Sequence, residues 1–207
     1  MISRRRVFQF GIAAGAIGAM GIHFAAAATP DQAVATVRTF YDHLTATMKD
    51  GPRLGFTGRR DRLAPAIQRA FDLPRMTQLA VGPRWRSMSE QQHAALIAAF
   101  GAYSAATYAS RFSHDSGDRF DVSPAVTASQ DGDTIVHTKL VRSSDEPVQL
   151  DYLMKQGAGG WKIEDVYLSG TISELATRRS EFTAVLNRGG PEALVEALRK
   201  KAAGGNG

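Results

Sequence analysis

Asp151 and Asp165 fall in two successive runs of alternating apolar and polar residues, QLDYLMKQ and WKIEDVYL. On neighbouring antiparallel strands two such carboxyls can share protons and act as general acid and base, with Tyr152 as a third candidate group. A simpler reading competes. Asp151 keeps phase with Gln149 and Lys155, so both acids can also be solvated residues on an outer sheet face. The histidines, His23, His43, His93, His114 and His137, are not spaced as metal-ligand pairs with another His or Cys. The chain has no cysteine, which excludes disulfides and thiolate metal sites. No nucleophile elbow, phosphate loop or dinucleotide fingerprint occurs, and GGPEALVEAL reads as a helix start behind a glycine pair. Neither a cofactor nor a metal is expected.

The elements that must position these residues follow from periodicity. TPDQAVATVRTFYDHLTATM sets Val34, Val37, Phe40, Tyr41, Leu44 and Met48 at helical spacing, with Thr29 as cap and Pro30 in the first turn. Leu63, Ile67 and Phe71 continue as two short helices interrupted at Pro65 and Pro74, closed by Gly82-Pro83. A capping box, Ser89 and Gln92, opens the longest helix, which buries Leu96, Ile97, Phe100, Tyr103, Thr107, Tyr108 and Phe112.

From Arg119 the period changes to two. Phe120, Val122 and Val126 form one apolar face, and Val136, Thr138 and Leu140 follow after an Asp131-Gly132 turn. Val148, Leu150, Tyr152 and Met154 then share a face, and a Gly157 to Gly160 turn leads into WKIEDVYL. Four strands joined by short turns predict an α+β fold: a curved antiparallel sheet, apolar on one face and covered there by helices. SELATRRSEFTAVLN and PEALVEALRKK are two C-terminal helices separated at Gly189, Gly190 and Pro191.

The ends and the charge bound the setting. Arg4, Arg5 and Arg6 precede a Gly/Ala-rich uncharged run reaching Asp31, with small residues at Ala26 and Ala28. This reads as an export signal over residues 1–28, cleaved near Ala28; a membrane anchor is the alternative. SRRRVF also fits the twin-arginine pattern. The formal charge of +5 includes the three leader arginines, without which it is +2, a weak argument for nucleic acid. Residues 29–201 are expected to form one domain, with residues 202–207 as a disordered tail. The first-half arginines Arg53, Arg59, Arg60, Arg62, Arg69, Arg75, Arg84 and Arg86 fit either anionic headgroups or a solvated helix surface. Trp85 and Trp161 read as buried anchors more readily than as recognition residues.

Two blocks carry a family resemblance. The first contains Phe71-Asp72, Met76, Gly82, Trp85-Arg86, Ser89, Gln92, Phe100, Thr107 and Tyr108-Ala109. The second contains Tyr152, Trp161-Lys162-Ile163, Asp165-Val166, Gly170, Ser173, Arg178, Phe182, Gly189 and Leu194. In this order they resemble the periplasmic lipid-carrier family of the Mla (maintenance of lipid asymmetry) system, also called the toluene-tolerance auxiliary family. Gly170-Thr171-Ile172-Ser173 and Arg178-Arg179 depart from the usual pattern and look more like the hopanoid-associated branch.

The resemblance implies a lipid carrier, not an enzyme. The implied partners are a hopanoid or phospholipid ligand and an inner-membrane lipid transporter of the resistance-nodulation-division or ABC type; a monomer is expected. On the residues' own reading, Val136, Leu140, Val148, Leu150, Tyr152 and Met154 on the sheet oppose Leu96, Phe100, Tyr103 and Tyr108 on the long helix. These surfaces are a closed core if they meet and a lipid pocket if they stand apart. Arg179 is the candidate for headgroup or partner contact, with Arg178 structural. The other readings are a non-catalytic assembly factor of a periplasmic transporter, or a small cone-shaped enzyme using Asp151 and Asp165.

Overall fold

A computed structural model describes residues 29–204, apart from 129–131 and 143–144. The export-signal segment, Asp131 of the expected turn and residues 205–207 lie outside the described residues. Four helices come first: α1 (Pro30–Lys49), α2 (Gly51–Ala70), α3 (Leu73–Val81) and, after a 3-10 turn over Gly82–Ser87, α4 (Glu90–Arg111). Strands β1 (Arg119–Ala128), β2 (Thr134–Val141), β3 (Val148–Gly157), β4 (Gly160–Leu168) and β5 (Ile172–Ser173) follow, then α5 (Glu174–Gly204). The sheet is antiparallel in the order β1-β2-β3-β4-β5. The fold is the expected α+β arrangement with one more strand than the periodicity shows, because β5 has two residues and no period to read.

Local chemistry accounts for most boundaries. Both halves of the Ser89–Gln92 capping box are made, at 3.2 and 2.9 Å, and Asp72 accepts from the Arg75 N–H at 3.0 Å to start α3. Pro65 does not end a helix as expected. It and Asp61, four residues earlier, are both exposed, so water can take the hydrogen bond that proline removes. The break in α2 falls instead at Gly55, with φ 61° and ψ −178°. α5 breaks where Gly190 takes φ 71° ahead of Pro191, as the glycine pair implies. It continues to Gly204, so residues 202–204, expected in the tail, are helical. No helix among the described residues is long and apolar enough to cross a membrane.

The sheet's inner face is divided along its length. α1 packs on β1, β2 and β4, and α2 and α5 pack on α4. At one end Val136, Met154, Ile163 and the α1 residues Val37, Phe40 and Leu44 are almost wholly buried in a closed core. Phe71 bridges Ile163, and the Asp72 N–H donates to the Ile163 carbonyl at 2.9 Å, tying the α2–α3 junction to β4. At the other end, toward Leu140 and Val148, the helices stand off and a cavity opens.

Candidate functional site

The cavity has a volume of about 280 Å³. Its sheet wall is set by register: Leu140 pairs with Val148, and Tyr152 pairs with Val166. Cross-strand partners share a face, so Leu140, Val148, Leu150, Tyr152 and Val166 form one apolar wall. The opposite wall is α4, whose Phe100, Tyr103, Ser104, Thr107, Tyr108 and Arg111 recur at helical spacing and all face the cavity. Tyr41, Phe71, Met76, Phe112, Phe120 and Leu175 complete the apolar lining, and Arg142, Glu174 and Arg178 join Arg111 as its charged part.

Seven of the ten expected lining residues therefore meet here: Phe100, Tyr103, Tyr108, Leu140, Val148, Leu150 and Tyr152. Leu96, Val136 and Met154 do not line the cavity; each is wholly buried in the closed core. Core and pocket are two ends of one sheet face. The expected headgroup residue Arg179 is also placed elsewhere. It packs at Gly82, where a β-carbon would come within 3.4 Å of its Nε, and Arg178 is the neighbour that lines the cavity. Tyr41, Phe71, Phe112 and Phe120 already stood in the apolar stripes of the sequence. No periodic signal marks Arg111, Arg142 or Glu174.

Buried hydroxyls form a chain in this wall. Tyr41 bonds Thr138 and Tyr152, both at 2.8 Å, and Thr138 donates to the Leu150 carbonyl at 2.6 Å. Tyr108 hydrogen-bonds Tyr152 from the other side. Burial is the main cause raising all three tyrosine pKa values, Tyr41 to about 12 and Tyr108 and Tyr152 well above the ordinary phenol value. These phenols stay neutral at physiological pH and supply hydrogen bonds, not a base.

The two aspartates are buried, each 5 % exposed, so neither is the solvated surface group of the simpler reading, and neither lines the cavity. Asp151 lies opposite His137. One of its oxygens is 3.2 Å from the His137 Nδ1 and accepts from Gln149 at 2.8 Å. Asp165 organises the corner between β4 and α5. It accepts from the Ser173 hydroxyl at 2.5 Å and from the N–H groups of Val166 and Leu175 at 2.7 and 3.0 Å. Ser173 in turn caps α5 by accepting from the Ala176 N–H at 2.8 Å. Asp165 is thus committed to backbone and hydroxyl donors around a tight turn, an arrangement that fixes where α5 begins.

The charged part of the lining is mainly cationic. Glu174 reaches Arg111 at 3.7 Å with one carboxylate oxygen and Arg178 at 3.1 Å with the other. Arg178 is held further by Glu181 at 3.0 Å and lies over the Tyr103 ring. Arg142, at the end of β2, is 3.8 Å from Asp145. The first-half arginines lie away from the cavity, and several serve the fold. Arg59 is buried and donates to the Ala109 and Gly51 carbonyls, Arg62 pairs with Asp50, and Arg75 pairs with Glu164. Trp161 is buried, whereas Trp85 is half-buried and stacks on His93 with ring centres 3.9 Å apart. No group of three or more potential metal ligands occurs among the described residues.

Comparison with known proteins agrees with this geometry. The family described as MlaC protein matches residues 38–200. A solved phospholipid-binding protein from Ralstonia solanacearum, determined in complex with a phospholipid, is 29 % identical and superposes with a TM-score of 0.71. The match covers 83 % of this chain and 97 % of that one. No curated protein matches the chain.

Proposed function

The chain belongs to the MlaC protein family, a family of lipid-binding carriers and not of enzymes, and from that premise we propose that it is a periplasmic carrier passing lipid between the inner and outer membranes. Residues 1–28 act as its export signal and residues 29–201 as the carrier domain. An inner-membrane lipid transporter, of the resistance-nodulation-division or ABC type, is the partner on one side of the exchange, and the carrier works as a monomer.

The observation that carries this reading is the apolar cavity between the inner sheet face and α4, with Arg111, Arg142 and Arg178 in its lining. Each CH₂ brought into water costs about 0.8 kcal/mol, so a lipid leaves a bilayer slowly unless its hydrocarbon is sheltered. The cavity volume of about 280 Å³ lies just below the roughly 300–1,000 Å³ of ordinary ligand sites. Hydrocarbon inside and a polar head outside is the arrangement that fits.

A phospholipid suits the arginines at the mouth, since guanidinium pairs well with phosphate oxygens, and the Ralstonia protein binds one. A hopanoid is the second reading, favoured by the Gly170-Thr171-Ile172-Ser173 and Arg178-Arg179 pattern. Transfer between vesicles tests the carrier role. Donor vesicles holding a self-quenched fluorescent phospholipid, acceptor vesicles and the mature protein should show dequenching at a rate rising with protein concentration. A rate independent of protein, for phospholipid and hopanoid alike, would leave the assembly-factor reading in its place.

A further inference from the structure

We propose that Glu174 competes with the ligand's headgroup phosphate for Arg111 and Arg178, and so sets how strongly the carrier prefers phosphate-bearing lipids. This rests on the lipid-carrier reading and adds a headgroup determinant to it. The charged residues lining the cavity are three arginines and one carboxylate, and that carboxylate spans two of the arginines, one on α4 and one on its own helix α5. A phosphate diester offers guanidinium the same pair of acceptor oxygens as a carboxylate, so the two anions are alternative partners for one site.

The surroundings allow the exchange. Arg178 has 13 % side-chain exposure and keeps Glu181 on its other nitrogen at 3.0 Å, so its charge stays paired when Glu174 turns away. Tyr103 holds the guanidinium from beneath, its ring centre 5.1 Å from the Arg178 Cζ. The Arg111 contact is looser, at 3.7 Å with 53 % side-chain exposure, and is the first to yield. Glu174 is 22 % exposed and can swing into solvent from the first turn of α5. A neutral polyol head has no charge with which to displace it.

The test compares wild type, Glu174→Gln and Arg111→Gln by binding to vesicles of phosphatidylglycerol or of digalactosyldiacylglycerol, whose neutral polyol head carries no phosphate, with inorganic phosphate as a separate titrant. Glu174→Gln should bind phosphatidylglycerol on the order of five-fold more tightly while affinity for the phosphate-free digalactosyldiacylglycerol moves less than about two-fold. Arg111→Gln, a change at a half-exposed position, should weaken phosphatidylglycerol selectively, and it decides the matter if Glu174→Gln does not fold. Equal changes for the two lipids, or weaker binding of both by a natively folded Glu174→Gln, overturn the competition and leave the carrier reading standing. Inorganic phosphate bound as tightly as the phosphatidylglycerol vesicles makes the mouth a free-anion site and overturns the headgroup assignment. Wild type that binds neither lipid sinks the carrier reading together with this one.

Discussion

The Arg178 guanidinium lies over the face of Tyr103, 5.1 Å from the ring centre, while Arg179, the next residue, packs at Gly82. One step along a helix turns a side chain by about 100°, so two adjacent arginines serve different surfaces. Arg178→Ala removes one of the two cations over the ring, leaving Lys201, and both ion pairs, to Glu174 and Glu181, and should lower stability by roughly 1–3 kcal/mol together with lipid occupancy. Arg179→Ala should change stability by about 0.5 kcal/mol or less. Urea unfolding of the two variants, with extracted lipid measured beside it, checks the contrast; matching losses would count against it.

Gly170 follows Ser169 in the turn between β4 and β5 and has φ +72°, a region that a β-branched residue rarely enters. A β-carbon there would also lie 3.1 Å from the Gln149 amide nitrogen. Gly170→Val should therefore destabilise by roughly 1–3 kcal/mol. Thermal unfolding at the wild-type temperature would contradict this role for the turn.

Leu150 and Leu96 separate cavity from core. Leu150 lines the cavity, so Leu150→Trp should reduce lipid occupancy while circular dichroism stays native. Leu96 is wholly buried away from it. Leu96→Ala should cost about 2–5 kcal/mol of stability and leave lipid per folded molecule unchanged. The reverse pattern in extraction and denaturation experiments would move the cavity to the other end of the sheet.

The buried tyrosines make stability fall in alkali. An unfolded tyrosine ionises near 10, whereas in the fold burial raises Tyr41 to about 12 and Tyr152 well above its ordinary value. Between these limits the folded chain binds more protons than the unfolded one. The contribution of Tyr41 is therefore complete below about pH 10 and is lost as pH rises through about 12. Denaturant midpoints should decline across that window, and Tyr41→Phe should flatten the decline. A midpoint independent of pH in wild type would speak against the hydroxyl chain.

The helices and the sheet were legible because their signals are periodic and local: the Ser89–Gln92 box, the stripe from Phe100 to Phe112, and the alternation through Val148, Leu150 and Tyr152. β5 was not, since two residues hold no period and its place depends on Asp165 binding Ser173 and the Leu175 N–H. The same limit applies to the site. Alternation placed Val136 and Leu140 on one face correctly, but which end of that face opens depends on where α1 and α4 cross it, a long-range packing outcome. Arg178 over Arg179 was likewise a matter of helix rotation at the mouth. Glu174 acquires its role only from Arg111, a residue brought beside it by the fold.

Native mass spectrometry of the mature protein purified from the periplasm of its host, followed by organic extraction, addresses most directly whether the cavity holds a lipid. One phospholipid or one hopanoid per chain, reduced in Leu150→Trp and retained in Arg179→Ala, is the predicted result. A protein that carries no lipid, and takes up neither class on incubation, would contradict a carrier function for this fold.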